Sequence, residues 1–457
     1  MLKHLIISGL LVVGVGAGPL ARAQEQFNHG DIFVSLLQGE GGCDFGAPES
    51  IVRIDPQTGA ASVFATRENG LCSASGLQFT PDAQRLAVTN YRSFVPPRLG
   101  SVMLFDPGGA GQVVLDGDDG LFRPFGANAL AFDTDGDLYV VNTATNTIVR
   151  FPGGSGPGIV FADADDGIRG RGALDFAANG DLFYCGDLAD AIIRITPDGV
   201  SLVFDPIGNP YSLVFDHSEN LFVVSGPTVY RYDNVDANSR QMVATGFLGS
   251  SGEPKPLAFS PDENILYLAL LPGLIYAIDP QSGASKLLVD LADSGNLGLP
   301  RGMTVYVDPC VFIDGITPDC NGNGIPDMCD VTKGVSLDCG EDGVPDECPG
   351  CYSNCDCDDF DVCTFDQCIE GVCANTPVRY ADVAGSSGVC GPDGVIDLLD
   401  LFAVLDGFRG FFTEGCSPHN IDITGETHCV PDRSIDLHDI LAYLDAFAGK
   451  DECSCGP

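Results

Sequence analysis

The chain has 457 residues, too many for a single core, and its 64 Asp plus Glu against 22 Lys plus Arg leave a formal charge of −42. That balance argues against nucleic acid and anionic lipid surfaces as partners, since both demand a basic face. The absence of Trp, with 58 Gly and 30 Pro, suits a turn-rich, mostly β chain; the acidity is either a solvated coat or a set of carboxylates placed to hold cations.

At the N-terminus, Lys3 and His4 precede an apolar run from Leu5 to Gly18, and Ala21-Arg22-Ala23 forms a small-residue cleavage site. This reads as a secretory signal peptide over residues 1–23, its apolar run too short for a stable membrane span. The expectation is a secreted, extracellular protein with no membrane span. Cysteine usage agrees with export. Only Cys43, Cys72 and Cys185 precede residue 310, and the other 16 crowd the last 148 residues, the mark of small domains stapled by disulfides. A Cys43–Cys72 disulfide is expected to brace the start of the fold, and Cys185, inside a strand pattern, reads as a buried free thiol.

Residues 24–309 carry four short patterns in fixed order, repeated about every 39 to 53 residues. An apolar-x-aromatic strand appears at Leu77-Gln78-Phe79, Leu130-Ala131-Phe132, Leu174-Asp175-Phe176, Leu213-Val214-Phe215 and Leu257-Ala258-Phe259, with a weaker copy at Met303-Thr304-Val305. A second strand follows after a turn, as in Leu138-Tyr139-Val140, then a third, as in Ile148-Val149-Arg150-Phe151, and a short fourth. The first unit starts at its second strand and the copy at Met303 has no successors. Met303 to Val307 should therefore close the blade begun at Gly30 to Val34, giving an all-β six-bladed propeller with interlocked termini. The segment DGDLYVVNTATNTIVRF and its repeats resemble NHL-like and TolB-like six-bladed propellers, a resemblance that speaks to fold and only weakly to function.

With antiparallel strands, the residues just before the first strands share one face of the ring. These are Ser75, Asn128, Arg171, Tyr211, Lys255 and Arg301, joined by Asn90, Asn142 and Asp187 after the second strands. Three cations in a domain of net charge −20 mark Asn128, Arg171, Tyr211, Lys255 and Arg301 as a candidate ligand site for an anion; the alternative is that these cations pair with nearby acids. Gluconolactonase-like propellers hold a divalent metal through carboxylate and Asn ligands on this face. Here Asn128 fills one such slot, but Arg171 and Tyr211 stand where other ligands would be, which speaks against that chemistry.

From residue 310 the β pattern stops and the charge density rises, with 29 acids and 5 bases over 310–457. DCNGNGIPDMCD places Asp319, Asn321, Asn323, Asp327 and Asp330 at positions 1, 3, 5, 9 and 12 of a loop, with Gly324 at position 6 and the Ile325 carbonyl at position 7. That spacing wraps Ca²⁺ in hard oxygen ligands. A second copy keeps Asp338, Asp342 and Asp346 but has Gly340 and Pro349 at positions 3 and 12. The pair, over 310–350, resembles thrombospondin type 3 calcium repeats. Residues 351–378 look like a short extracellular disulfide repeat, zinc being the rival reading of such close cysteines.

The last segment, 379–457, is duplicated: DGVIDLLDLFAVLDGFRG at 393–410 aligns with DRSIDLHDILAYLDAFAG at 432–449. Each copy runs from carboxylates into a helix with an apolar stripe, Leu401, Leu405 and Phe408 in the first and Ile440, Leu444 and Phe447 in the second. The segment resembles a type I dockerin, two calcium loop–helix units related by a pseudo-twofold. The resemblance implies Ca²⁺ ligands at Asp382, Asp393, Val395, Asp397 and Asp400, and at Asp422, Asp432, Ser434, Asp436 and Asp439. It departs from the family in the extra residues after position 1, in Ala384 and Thr424 at position 3, and in Arg433, which replaces the glycine of the second loop. It further implies a cohesin-bearing partner contacted through Leu398, Leu399, Leu437 and His438. Equal 26-residue spacings suggest the disulfides Cys390–Cys416 and Cys429–Cys455, with Cys453 as the competing partner. Together these readings describe a calcium-binding adaptor that carries a ligand-binding propeller. The alternative is a carbohydrate- or lactone-active propeller enzyme delivered to a polysaccharide-degrading assembly, for which no catalytic constellation is legible.

Overall fold

A computed structural model describes residues 26–37, 49–91, 100–116, 126–247, 255–293, 298–313, 316–336, 338, 344–345, 348, 357, 361–369, 372–385, 391–409, 421–424, 429, 434–450 and 453. The signal-peptide segment lies outside them, as do Cys43, Asp342, Asp346, Cys390, Cys416, Asp432 and Cys455. The chain divides into two compact units, Met1–Asp308 and Pro309–Pro457.

The first unit is a six-bladed β-propeller. Its strands run in chain order as β1 (Ile32–Leu37), β2 (Glu49–Ile54) and β3 (Ala61–Thr66); β4 (Ala74–Phe79), β5 (Leu86–Asn90), β6 (Ser101–Phe105) and β7 (Gly111–Leu115); and β8 (Ala127–Phe132), β9 (Leu138–Asn142), β10 (Thr147–Phe151) and β11 (Ile159–Ala162). The second half of the ring is β12 (Gly172–Phe176), β13 (Leu182–Gly186), β14 (Ile192–Ile195) and β15 (Ser201–Asp205); β16 (Pro210–Phe215), β17 (Leu221–Ser225), β18 (Thr228–Tyr232) and β19 (Gln241–Thr245); and β20 (Leu257–Phe259), β21 (Leu266–Leu270), β22 (Leu274–Ile278) and β23 (Ser285–Asp290). The last strand, β24 (Leu299–Val305), pairs antiparallel with β1, Met303 opposite Val34 and Val305 opposite Ile32. The ring is thus closed as the unpaired repeat halves require, and Gly30 and Tyr306 lock the seam with a 2.8 Å backbone bond.

The repeat motifs follow from burial. The second strands β5, β9, β13, β17 and β21 are buried along their whole length, so they read as continuous apolar runs rather than alternating ones. The outermost strands, such as β7, are mostly exposed and carry weaker patterns. The apolar-x-aromatic motif exists because its ring meets the second-strand aromatic of the preceding blade edge-to-face. Phe33 packs on Phe79, Tyr139 on Phe176, Phe183 on Phe215 and Phe222 on Phe259, with centroids 5.5, 5.1, 5.1 and 5.1 Å apart. A charged ladder repeats outside this seam. Arg150 of β10 donates to Asp137 at 2.6 Å and Arg194 of β14 to Asp181 at 2.6 Å, while Arg53 of β2 reaches Asp31 at 2.5 Å. Each such Asp stands immediately before a second strand, which explains the Asp-Leu and Ile-x-Arg spacing of the repeats.

Among the described residues the second unit holds a hairpin, β25 (Thr364–Ile369) with β26 (Val372–Pro377), and three helices: α1 (Asp327–Thr332), α2 (Leu398–Phe408) and α3 (Leu437–Phe447). Disulfides join Cys310 to Cys329, Cys320 to Cys348, Cys357 to Cys373 and Cys429 to Cys453. The last pair corrects the expectation of Cys429–Cys455 in favour of the competing partner, Cys453. Sequence symmetry points to Cys455, but the chain after α3 delivers Cys453 into the buried cluster of Ile421, Ile423 and Tyr443, against which Cys429 packs. Burial of the sulfur, and not the matching spacing, decides the pair. Cys72 is disulfide-bonded, and Cys185 is a buried free thiol whose pKa burial pushes up to about 12.

The stripe expected on the two C-terminal helices is also corrected. Phe408, Leu444 and Phe447 are exposed, and the buried faces are Asp400, Val404 and Gly407 on α2 and Asp439, Ala442, Tyr443 and Ala446 on α3. Small residues let the two helices share one thin core, which leaves the larger side chains outside.

Candidate functional site

The strand order places the mouth residues as the sequence pattern implies. Ser75, Asn128, Arg171, Tyr211 and Arg301 meet, with Gly172 and Asp187, around one recess of about 40 Å³. It adjoins a channel of about 260 Å³ lined by the innermost strands of the ring, and Lys255 lines that channel together with Ser75, Asn128, Tyr211 and Arg301. Their roles there differ. Asn128 is spent on structure: its amide nitrogen donates to Ser75 at 2.9 Å and its oxygen accepts from the Gly172 N–H at 3.2 Å. Lys255 is buried, donates to the Gly226 carbonyl and lies 5.3 Å over the Tyr211 ring. Arg171 is paired with Asp187 at 3.3 Å, and the same carboxylate accepts the Arg171 backbone N–H at 2.8 Å.

Arg301 differs from these. Its Nε is buried without a hydrogen-bond partner among the described residues. Burial, together with the facing charge of Arg171, pushes the guanidinium down to about 10. Two carboxyls, one near the mouth and one along the channel, were not legible in the sequence pattern. Glu49, at the start of β2, is buried; burial raises its pKa, although the backbone N–H groups of Ser73 and Ala74 and the charges of Arg67 and Arg301 oppose the rise. Its Oε1 is buried without a hydrogen-bond partner among the described residues. Asp175, lining the channel, accepts the backbone N–H groups of Phe215 at 2.8 Å and Phe176 at 3.0 Å, and burial pushes it up to about 6. Asp175 sits inside the apolar-x-aromatic motif, where its polar character was the available signal.

In the second unit the loop 319–330 is built around its oxygens. Asp319 accepts the N–H groups of Asn323 at 3.1 Å and Gly324 at 2.9 Å, and the Asn323 side chain accepts from Ile325 at 2.7 Å. Asp330 is fully buried; one oxygen takes the Asn321 and Asn323 amides at 3.0 and 2.8 Å, while Oδ1 has no hydrogen-bond partner among the described residues. Asp327 is buried and accepts the Cys320 N–H at 2.9 Å. Ligand-type atoms of Cys320, Asp327 and Cys348 lie within 4.8 Å of one another, a candidate metal-binding triad. The two sulfurs are joined as a disulfide, however, so in this oxidised form only the Asp327 carboxylate of the three offers a metal-ligating atom. Of the second copy, Asp338 is described and half-buried.

The C-terminal loops repeat this pattern. Asp382 accepts the N–H groups of Asp393 at 3.0 Å and Gly394 at 2.7 Å, and Asp393 accepts from Val395 at 3.0 Å, position for position as in 319–330. Gly324 and Gly394, both at position 6, have φ of 85° and 86°, a backbone that favours glycine. Asp400 caps α2 from within: it accepts Val383 and Ala384 at 2.8 Å each and Asp397 at 2.8 Å. Its counterpart Asp439 accepts Ile423 at 2.9 Å, Thr424 at 3.1 Å and Asp436 at 2.8 Å. Asp382, Asp400, Asp422 and Asp439 are buried, and burial raises the pKa of Asp382, Asp400 and Asp439. Ser434 is exposed. Leu398 and Leu437 are exposed, Leu399 is half-buried, and exposed His438 bonds Asp436 at 3.0 Å.

No protein-family model matches the sequence, and no curated protein matches it. Among solved structures, the chain is similar to a chain of a nidogen–laminin complex at 17% identity, over 61% of this chain and 99% of that one, with a TM-score of 0.46. It is also similar to a streptogramin B lyase (16% identity, 47% and 68% covered, TM-score 0.36) and to virginiamycin B lyase from Staphylococcus aureus (15% identity, 48% and 70% covered, TM-score 0.36). Among the described residues no helix is long and apolar enough to cross a membrane.

Proposed function

We propose that this is a secreted calcium-binding protein in which the propeller binds a ligand or partner and the C-terminal loop–helix pair attaches it to a cohesin-bearing extracellular complex. The observation that carries the calcium part is Asp330, a fully buried carboxylate with an oxygen that no described residue satisfies, set among Asp319, Asn321 and Asn323. A buried, incompletely satisfied carboxylate is costly, and a hard cation removes that cost. The residues fit Ca²⁺: Asp319, Asn321, Asn323, Asp327, Asp330 and the Ile325 carbonyl would hold it in this loop. Asp382, Asp393, Asp397, Asp400 and the Val395 carbonyl would do so in the first C-terminal loop, with Asp422, Asp436, Asp439 and the Ser434 carbonyl in the second. The bound ion neutralises carboxylates and ties each loop to its helix.

Attachment is supported by the exposed apolar pairs Leu398 with Phe402 and Leu437 with Leu441, each pair one helical turn apart and 39 residues from its counterpart. The test is retention of the full chain on a panel of immobilised cohesin modules with Ca²⁺ and with EGTA. Retention in Ca²⁺, release by EGTA and loss in the Leu398→Asp, Leu437→Asp double variant support the reading. Failure of every cohesin to retain the calcium-loaded chain overturns the attachment.

A further inference from the structure

Arginines of the ring are held by acids: Arg53 by Asp31, Arg150 by Asp137, Arg171 by Asp187, Arg194 by Asp181 and Arg240 by Asp205. Among the described half-buried arginines, Arg301 at the mouth is the one without an ion pair; its Nε has no hydrogen-bond partner among the described residues, and Arg171 faces it. We propose that the recess between Arg301 and Arg171 is a binding site for the carboxylate of a small monoanionic ligand, which completes the guanidinium of Arg301. This rests on the reading of the propeller as the ligand-binding module and names the chemistry that it reads.

The surroundings select the charge and shape of the ligand. Guanidinium presents a planar fork of donors that matches a carboxylate. Asp187, itself on Arg171, and the buried Glu49 carboxyl both act on Arg301 electrostatically, so a dianion such as phosphate would meet two acids for the same two cations. A carboxylate brings one charge, and a recess of only about 40 Å³ admits the acid group alone while the rest of the ligand projects into the adjoining channel or into solvent. Asn128 and Ser75 bond each other across the recess, so they set its wall rather than reach for the ligand. Specificity therefore falls on the arginines.

The test is calorimetric titration of the calcium-loaded full chain with sodium glucuronate, acetate and glucose in a low-chloride buffer near pH 7. Glucuronate and acetate share the carboxylate, and stronger binding of glucuronate would locate the ligand among sugar acids, whereas equal binding would locate it among simple acids; both support the proposal. Expected is a millimolar-range affinity, with Arg301→Gln weakening it by about tenfold or more and Arg171→Gln by about threefold. Melting of Arg301→Gln is followed in parallel, and the more exposed Arg171→Gln gives an independent reading should that variant not fold. No binding of either carboxylate at about 20 mM, binding of glucose as strong as of glucuronate, or affinities unchanged in both variants overturns the proposal. Calcium-dependent cohesin retention involves neither arginine, so a failure here is distinguishable from a failure of the wider reading.

Discussion

At the scale of single residues, the acids of this chain do three different jobs. Asp137 shows the first. Burial raises its pKa, but the Gly153 N–H and the Arg150 guanidinium outweigh burial and hold the carboxyl below its ordinary value. Such a group stabilises the fold above its unfolded pKa and loses that contribution as pH falls through the folded one. Asp175 has the opposite sign. Its folded pKa, pushed up to about 6, lies above the unfolded one, so its contribution is present at low pH and lost as pH rises through about 6. Asp175→Asn should therefore gain stability relative to the parent between about pH 4 and pH 7, measured by urea melts at both; a difference that stays constant with pH contradicts the assignment. Asp330, buried with one oxygen that no described residue satisfies, has the third, which under the proposed calcium reading is to hold the ion. Asp330→Asn should leave the EGTA-treated protein no less stable while abolishing part of the stabilisation by calcium. A parent-like calcium response in that variant would remove Asp330 from the site.

At the scale of elements, the repeat motifs record contacts between neighbours. Phe183 is fully buried in β13 and meets Phe204 and Phe215 edge-to-face at 5.3 and 5.1 Å, so Phe183→Ala should cost about 3–5 kcal/mol in a denaturant melt of the propeller. A cost under about 1 kcal/mol would deny the seam its role. Much of this level was legible in the sequence. The Leu-x-Phe and Asp-Leu-Tyr-Val patterns located the strands because each motif position has one packing task, repeated around the ring. The helices α2 and α3 were located by the carboxylates Asp397 and Asp400, Asp436 and Asp439, which form matching capping boxes at both N-termini. Their orientation was not legible. These helices contain more apolar side chains than two short elements can bury, and periodicity alone does not say that Val404, Gly407, Ala442 and Ala446 turn inward while Phe402, Phe408 and Phe447 stay out. The Cys429–Cys453 bond stood only as the competing pairing for a related reason: spacing counts residues, whereas the bond follows the path of the chain beyond α3.

At the scale of the whole molecule, ring closure depends on one strand from the far end of the propeller. Met303 of β24 packs with Ile32, Val34 and Ile275, so Met303→Asp should destabilise the propeller by several kcal/mol, about as a buried unpaired charge does. The control Met242→Asp, at a side chain 64% exposed on β19, should be close to neutral. Equal effects in thermal melts would mean that closure does not hold the ring. The mouth of that ring was partly legible. Strand direction collected Asn128, Arg171, Tyr211, Lys255 and Arg301 on one side, but only geometry separates Arg171, ion-paired with Asp187, from Arg301, which makes no ion pair among the described residues. Glu49 escaped because its importance comes from burial and not from any motif.

The charge of −42 is divided between the same two units. In the propeller it is spent partly on arginine ladders and partly on solvent; in the second unit it gathers on loops whose carboxylates are buried beside one another. The most direct measurement is the amount of calcium carried by the full chain after gel filtration in calcium-free buffer, with thermal melting before and after EGTA. Expected are two or more tightly held ions per chain, about four at saturation, and a second-unit transition that falls on chelation while the propeller transition stays. Absence of bound calcium together with an unchanged second-unit transition would contradict the calcium reading.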